Sequence, residues 1–142
     1  MEPSRYAHQN PEERPRVLIV DDDLSVRKVL YRILENGGYD VLSAGSGAEA
    51  VAIFRRSSRA IDLLITDYNM PGMNGLELAC ECAAIHVALP VLYVSGGPPD
   101  PGLSADLQNQ RRGFLQKPFR GEALLRKTKE MLLLQHDPVF SL

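Results

Sequence analysis

Cysteine is scarce in this chain: there are two in 142 residues, Cys80 and Cys82. They lie two apart in a segment that reads as helix, and helical residues at that spacing do not face each other. No disulfide is expected between them, and two thiols are too few for a closed zinc site. They read as small apolar residues in a reducing compartment. Histidine is nearly as sparse. His8, His86 and His136 are scattered and form no metal or phosphotransfer constellation. Neither sign of charge dominates: the formal net charge is −2, which leaves no global field to draw the chain to nucleic acid or to an anionic membrane. No apolar run approaches the roughly 20 residues that span a bilayer. The first residues lack the apolar centre of a signal peptide. These absences lead to the expectation of a cytoplasmic protein with no direct nucleic-acid or membrane partner.

What is present is the texture of one ordinary globular domain, 44% hydrophobic and 24% charged, long enough to bury a sizeable core. Residues 1–15 are polar, with Pro3, Pro11 and Pro15, and read as a mobile tail. From Arg16 two patterns alternate. Val17–Val20 is a continuous apolar run, as expected for a strand buried on both faces. Val26, Val29, Leu30, Ile33 and Leu34 then recur at helical spacing, and Gly37-Gly38 supplies a stop. Further strands are expected over 39–44, 61–66, 90–94 and 113–116. Further helices are expected from Ser46-Gly47 with Ala50, Val51 and Phe54 inward, over 76–85, and over 121–134 with Leu124, Leu125, Thr128, Met131 and Leu132 inward. The stretch from Gly96 to Arg112 is dense in turn formers. It predicts only a short, mobile helix from Leu103 to about Gln110. Residues 136–142 read as a frayed tail, which leaves 16–135 as the folded domain. Strands alternating with helices predict an α/β fold: five parallel strands covered on both faces, joined by right-handed crossovers.

The strand ends carry the chemistry. Val17–Val20 runs into Asp21-Asp22-Asp23, Leu63–Ile65 is followed by Asp67, Val91–Val94 by Ser95, and Phe114–Gln116 by Lys117-Pro118. Ligands of open parallel sheets bind at the carboxyl ends of the strands. Acids, a hydroxyl and a lysine gathered there suit a divalent cation and a phosphoryl group. Asp23 alone reads as a solvated acid at a helix start. Lys117 alone would read as a loop lysine, and the bond to Pro118 is open to either isomer. Arg120, Arg126, Lys127 and Lys129 read as a solvated basic face.

With these residues in view, the chain resembles the receiver domain of two-component response regulators. The motifs are Val-Asp-Asp-Asp at 20–23, Thr-Asp-Tyr-Asn-Met-Pro-Gly-Met-Asn-Gly at 66–75, Val-Ser-Gly at 94–96 and Phe-Leu-Gln-Lys-Pro-Phe at 114–119, in the family's order and at about its spacing. The wording is also close to receivers attached to hybrid histidine kinases. The resemblance implies a flavodoxin-like, doubly wound sheet in the order 2-1-3-4-5. It implies that Asp67 is the phosphoacceptor, with Asp21 and Asp22 holding Mg²⁺ (or Mn²⁺) directly or through water. Asn69 would add its backbone carbonyl. Ser95 and Lys117 would contact the phosphoryl oxygens, and Phe114 stands at the aromatic position that turns inward when the hydroxyl moves.

The expected function is therefore that of a single-domain receiver in a phosphorelay, since few residues follow the motifs. It would take a phosphoryl group on Asp67 from a sensor histidine kinase or a histidine phosphotransfer protein and change its surface for a downstream protein target. It would be a phosphoacceptor and not an enzyme, either a monomer or a phosphorylation-dependent homodimer. The small Gly96 would leave the site open, and a carboxamide or acid placed at Gly97 would alter phosphate lifetime. The alternative is a receiver-shaped scaffold that ignores phosphate. A phosphatase is disfavoured, because Asn69 stands where a second acid would be needed.

Overall fold

The computed structural model describes residues 13–57 and 59–135. The strands are β1 (Arg16–Val20), β2 (Asp40–Ala44), β3 (Leu63–Asp67), β4 (Val91–Ser95) and β5 (Arg112–Gln116), and between and after them run α1 (Leu24–Asn36), α2 (Gly47–Arg56), α3 (Gly75–Ile85), α4 (Pro101–Asp106) and α5 (Gly121–Gln135). All strands are parallel, in the order β2-β1-β3-β4-β5. This is the flavodoxin-like doubly wound arrangement that the resemblance implies. The two terminal tails expected from the sequence lie outside the described residues, apart from 13–15. No helix among the described residues is long and apolar enough to cross a membrane.

Two apolar layers explain the two-faced sheet. On one face Leu18, Val20, Leu64, Val91 and Tyr93 pack with Ala50, Phe54, Leu78, Cys82 and Leu103 from α2, α3 and α4. On the other Val17, Ile19, Leu63, Ile65, Leu92 and Val94 pack with Leu30, Leu34, Leu124 and Met131 from α1 and α5. Alternate residues of each strand feed opposite layers, which is why these runs are continuously apolar. The five inward residues predicted for α5 are all buried or partly buried in this second layer, Thr128 fully so. Val29 departs from expectation. It is 56% exposed, because the buried stripe of α1 is the narrower one centred on Leu30 and Leu34.

The boundaries shift where local capping decides them. β3 begins at Leu63 instead of Ile61, and β3 and β4 each run one residue further than the apolar pattern, so Asp67 and Ser95 are the last residues of their strands. The fourth helix also differs from the predicted 103–110. It starts at Pro101, after Asp100, whose carboxylate accepts from the Leu103 N–H at 2.8 Å, and it ends at Asp106. An aspartate cap followed by proline in the first turn is a helix start, since proline lacks the N–H that would go unpaired there. Leu103 is fully buried and anchors the helix, and the partly buried Leu107 packs beside it. Asp23 caps α1 by accepting from the N–H groups of Ser25 and Val26. Both cysteines are free, Cys82 in the core and Cys80 exposed. His86 caps the end of α3, and His8 and His136 lie outside the described residues.

Candidate functional site

The strand order places β3 centrally, with β1 on one side and β4 then β5 on the other. Val20 pairs with Thr66, so Asp21 and Asp67 leave adjacent strands at the same level. Ser95 pairs with Gln116, which sets Lys117 just beyond it. Backbone hydrogen bonds hold this rim: Tyr68 N–H donates to the Val94 carbonyl at 2.9 Å and Lys117 N–H to the Ser95 carbonyl at 2.8 Å. The Lys117–Pro118 peptide bond is cis.

Asp21, Asp22 and Asp67 each offer a carboxylate oxygen within 4.8 Å of the others. Asp21 is almost fully buried and heavily engaged. Its Oδ1 accepts from the Asp23 N–H at 2.9 Å, its Oδ2 from Lys117 Nζ at 3.1 Å, and its backbone carbonyl from Arg27 Nη1 at 2.7 Å. Asp22 is exposed, and Asp67 is half-buried. Lys117 Nζ also stands 3.7 Å from Asp67 Oδ1. Burial pushes the Asp67 carboxyl above its ordinary range, and the charges of Asp21 and Asp22 push the same way. Lys117 and the Asn69 N–H pull it back without cancelling the rise.

These carboxylates form a negative cluster that one lysine offsets only in part. Oxygen donors of this kind, with one acid exposed to water, fit a hard divalent cation that keeps several of its waters. The cluster thus suits Mg²⁺ or Mn²⁺ by its charge and donor chemistry.

Ser95 is buried and its hydroxyl oxygen accepts from the Gly97 N–H at 3.3 Å and from Asn69 Nδ2 at 3.5 Å. A side chain at Gly96 or Gly97 would meet nothing within 4 Å, so the approach to Asp67 is open on that side. Phe114 lies under this rim, partly buried in the layer that also holds Tyr93 and Leu103. Every site residue expected from the sequence therefore lies at or just below one end of the sheet. Two further features carry no signal in the sequence pattern. Arg27 grips the turn that presents the acids, and Tyr68, beside Asp67, donates through its hydroxyl to Asp100 at 2.7 Å. Neither partner can be read from spacing alone, because only the folded turns bring the groups together.

Comparison with known proteins supports the same conclusion. The model of the response regulator receiver domain family matches residues 17–129. The sensor kinase CckA of Brucella abortus is 35% identical over 116 residues, a match that covers 82% of this chain and 12% of the kinase. The receiver domain of the hybrid histidine kinase CckA superposes with a TM-score of 0.70 at 34% identity, covering 82% of this chain and 98% of that domain. The chemotaxis protein CheY4 of Vibrio cholerae superposes with a TM-score of 0.76 at 29% identity, covering 83% of this chain and 98% of the other. The chain spans from 12% to about half of the length of the curated relatives it matches.

Proposed function

The chain belongs to the response regulator receiver domain family, a component of two-component signalling, and on that premise we propose that it accepts a phosphoryl group on Asp67 from a histidine-phosphorylated partner. The observation that carries this reading is the half-buried Asp67 at the end of the central strand, with Asp21 and Asp22 offering oxygens within 4.8 Å and Lys117 Nζ 3.7 Å away.

Receiver domains bind Mg²⁺ at an acidic pocket, and here Asp21, Asp22, Asp67 and the Asn69 carbonyl would hold it. When bound, the ion would offset the charge of the acids and of the phosphoryl oxygens. An Asp67 carboxylate oxygen forms the new bond to phosphorus as the bond from phosphorus to the donor's imidazole nitrogen breaks, and that nitrogen keeps the electron pair. Such transfer depends mainly on positioning and electrostatics. Lys117 supplies a fixed positive charge. Ser95 exchanges its present role as acceptor from Gly97 for that of donor to a phosphoryl oxygen. The space it leaves suits an inward turn of Phe114. A local charge event thereby biases a packing arrangement.

The donor is a sensor histidine kinase or a histidine phosphotransfer protein, and the changed surface is read by a downstream protein. The reading puts this module in the cytoplasm as a phosphoacceptor without catalytic turnover, monomeric until phosphorylation changes its surface. The test is intact-protein mass after incubation with acetyl phosphate and Mg²⁺. A gain of one phosphoryl group, lost when Mg²⁺ is chelated, supports the reading. No gain from acetyl phosphate or from a phosphohistidine donor, with the protein folded, contradicts it and favours a phosphate-independent scaffold.

A further inference from the structure

The helix α4 has only six residues, and a tyrosine–aspartate hydrogen bond holds each of its ends. At its start Asp100 accepts from the Tyr68 hydroxyl at 2.7 Å, and at its finish Asp106 accepts from the Tyr93 hydroxyl at 2.6 Å. The two rings meet edge to face, with centroids 6.3 Å apart. The second pin is a structural one. Tyr93 is fully buried, and Arg112 Nε adds a bond to the same aspartate oxygen at 3.1 Å.

The first pin differs in its position along the chain. Tyr68 directly follows Asp67, and Asn69 follows Tyr68. The segment from Ser95 to Asp100 is fastened to this pair at both ends, Ser95 to Asn69 and Asp100 to Tyr68. Between the fastenings run Gly96, Gly97, Pro98 and Pro99, where neither glycine's α-carbon has a neighbour for a side chain to meet. The Tyr68 backbone is itself fixed, its N–H on Val94 and its carbonyl accepting from Gly75 at 2.8 Å. The phenol is thus a short strut from the rim of the site to the cap of α4. Asp100 uses its other oxygen to cap Leu103. Leu103 is the only fully buried side chain of α4.

We propose that the Tyr68–Asp100 hydrogen bond is a latch that holds α4 in the unphosphorylated state and is released when Asp67 is loaded. The proposal rests on the receiver reading above. When Ser95 swings to donate to a phosphoryl oxygen it leaves Gly97 and Asn69, so the first fastening of the Gly-Gly-Pro-Pro segment moves. The prolines make the second half of the segment stiff, so the part of the displacement that Gly96 and Gly97 do not take up is passed to Asp100. Coupling of this kind is reciprocal. A bond made only in the unloaded state opposes loading, so removing it raises the equilibrium level of phosphorylation.

Two substitutions cut the latch by different routes. Tyr68→Phe removes only the hydroxyl. Asp100→Ser keeps a good helix cap but is too short to reach the phenol. The experiment is hydrogen exchange of the amides of 102–107, with and without acetyl phosphate and Mg²⁺, together with intact mass. In wild type these amides exchange faster on phosphorylation. Both variants exchange fast before phosphorylation, change little after it, and carry about twofold to fivefold more phosphoryl group at equilibrium, as loss of one modest hydrogen bond implies. Tyr93→Phe, which weakens the other pin, speeds exchange in both states and leaves the phosphorylation response intact. If the variants gain the same mass as wild type and α4 exchanges alike in all three, the latch is overturned and the receiver reading stands. If wild type gains no mass, the receiver reading fails and the latch with it.

Discussion

Lys117 is bonded to Asp21, 96 residues away in sequence: its Nζ donates to Asp21 Oδ2 at 3.1 Å. The lysine is farther from Asp67, at 3.7 Å. Before phosphorylation it therefore serves the most buried acid of the site, and it competes with any cation for that acid. Loading of Asp67 places new negative charge within the lysine's reach without requiring it to travel far.

Lys117→Ala should act in opposite directions on metal and on phosphate. Removing a cation from an acid cluster strengthens the pull on another cation, so Mg²⁺ titration should show severalfold tighter binding. Loss of a positive charge aimed at the phosphoryl oxygens should slow uptake from acetyl phosphate by on the order of 100-fold, the usual scale for deleting one such group. Weaker Mg²⁺ binding in the variant would mean that the lysine organises the acids instead of competing for them.

The raised pKa of Asp67 makes stability depend on pH with a definite sign. Burial and the neighbouring acids lift it above its ordinary value of 3.8. An acid raised in the folded state weakens the fold when ionised. The penalty is fully present above the folded pKa and disappears as pH falls toward the ordinary value. Asp67→Asn should therefore melt higher than wild type near neutral pH in the presence of a chelator. The gap should narrow as pH is lowered toward about 4, or when Mg²⁺ is added. Thermal melts across that range check this, and a gap independent of both pH and Mg²⁺ would contradict it.

Gly75 is where the loop after the phosphoacceptor closes on itself. A Cβ there would lie 2.7 Å from the Asp67 carbonyl oxygen and 3.0 Å from the Tyr68 Cα, both backbone atoms that cannot rotate away. Gly75→Ala should cost about 2 kcal/mol, within the usual range for overpacking. It should also slow phosphoryl uptake, because relief of the clash displaces Asp67. Chemical denaturation and the acetyl phosphate reaction together test this, and a stable variant that loads normally would contradict it.

Much of this site is legible in the sequence, because each strand is a continuous apolar run and the first polar residue after it marks the rim. Asp21, Asp67, Ser95 and Lys117 are found that way, and the sheet makes neighbours of them. What the runs do not carry is pairing across the rim. That Lys117 meets Asp21 more closely than Asp67, or that Tyr68 reaches Asp100, depends on turns whose geometry spacing does not encode. The fourth helix departs from its expected span for a different reason. Its start signal, Asp100-Pro101, sits inside a turn-rich stretch, and an apolar stripe of two leucines is too thin to show where six residues of helix begin and end. Val29 shows the same limit on α1, where helical spacing includes a residue that the narrow buried stripe leaves in solvent.

The most direct measurement is the position of the phosphoryl group. Protein loaded with acetyl phosphate and Mg²⁺ is treated with borohydride, which reduces an aspartyl phosphate to homoserine, and the residue is located by peptide mass spectrometry. The expected result is homoserine at position 67 alone, absent without Mg²⁺ and absent from Asp67→Asn. Homoserine at position 21 or 22, or phosphate retained on a histidine with position 67 unmodified, contradicts the assignment of Asp67 as the acceptor.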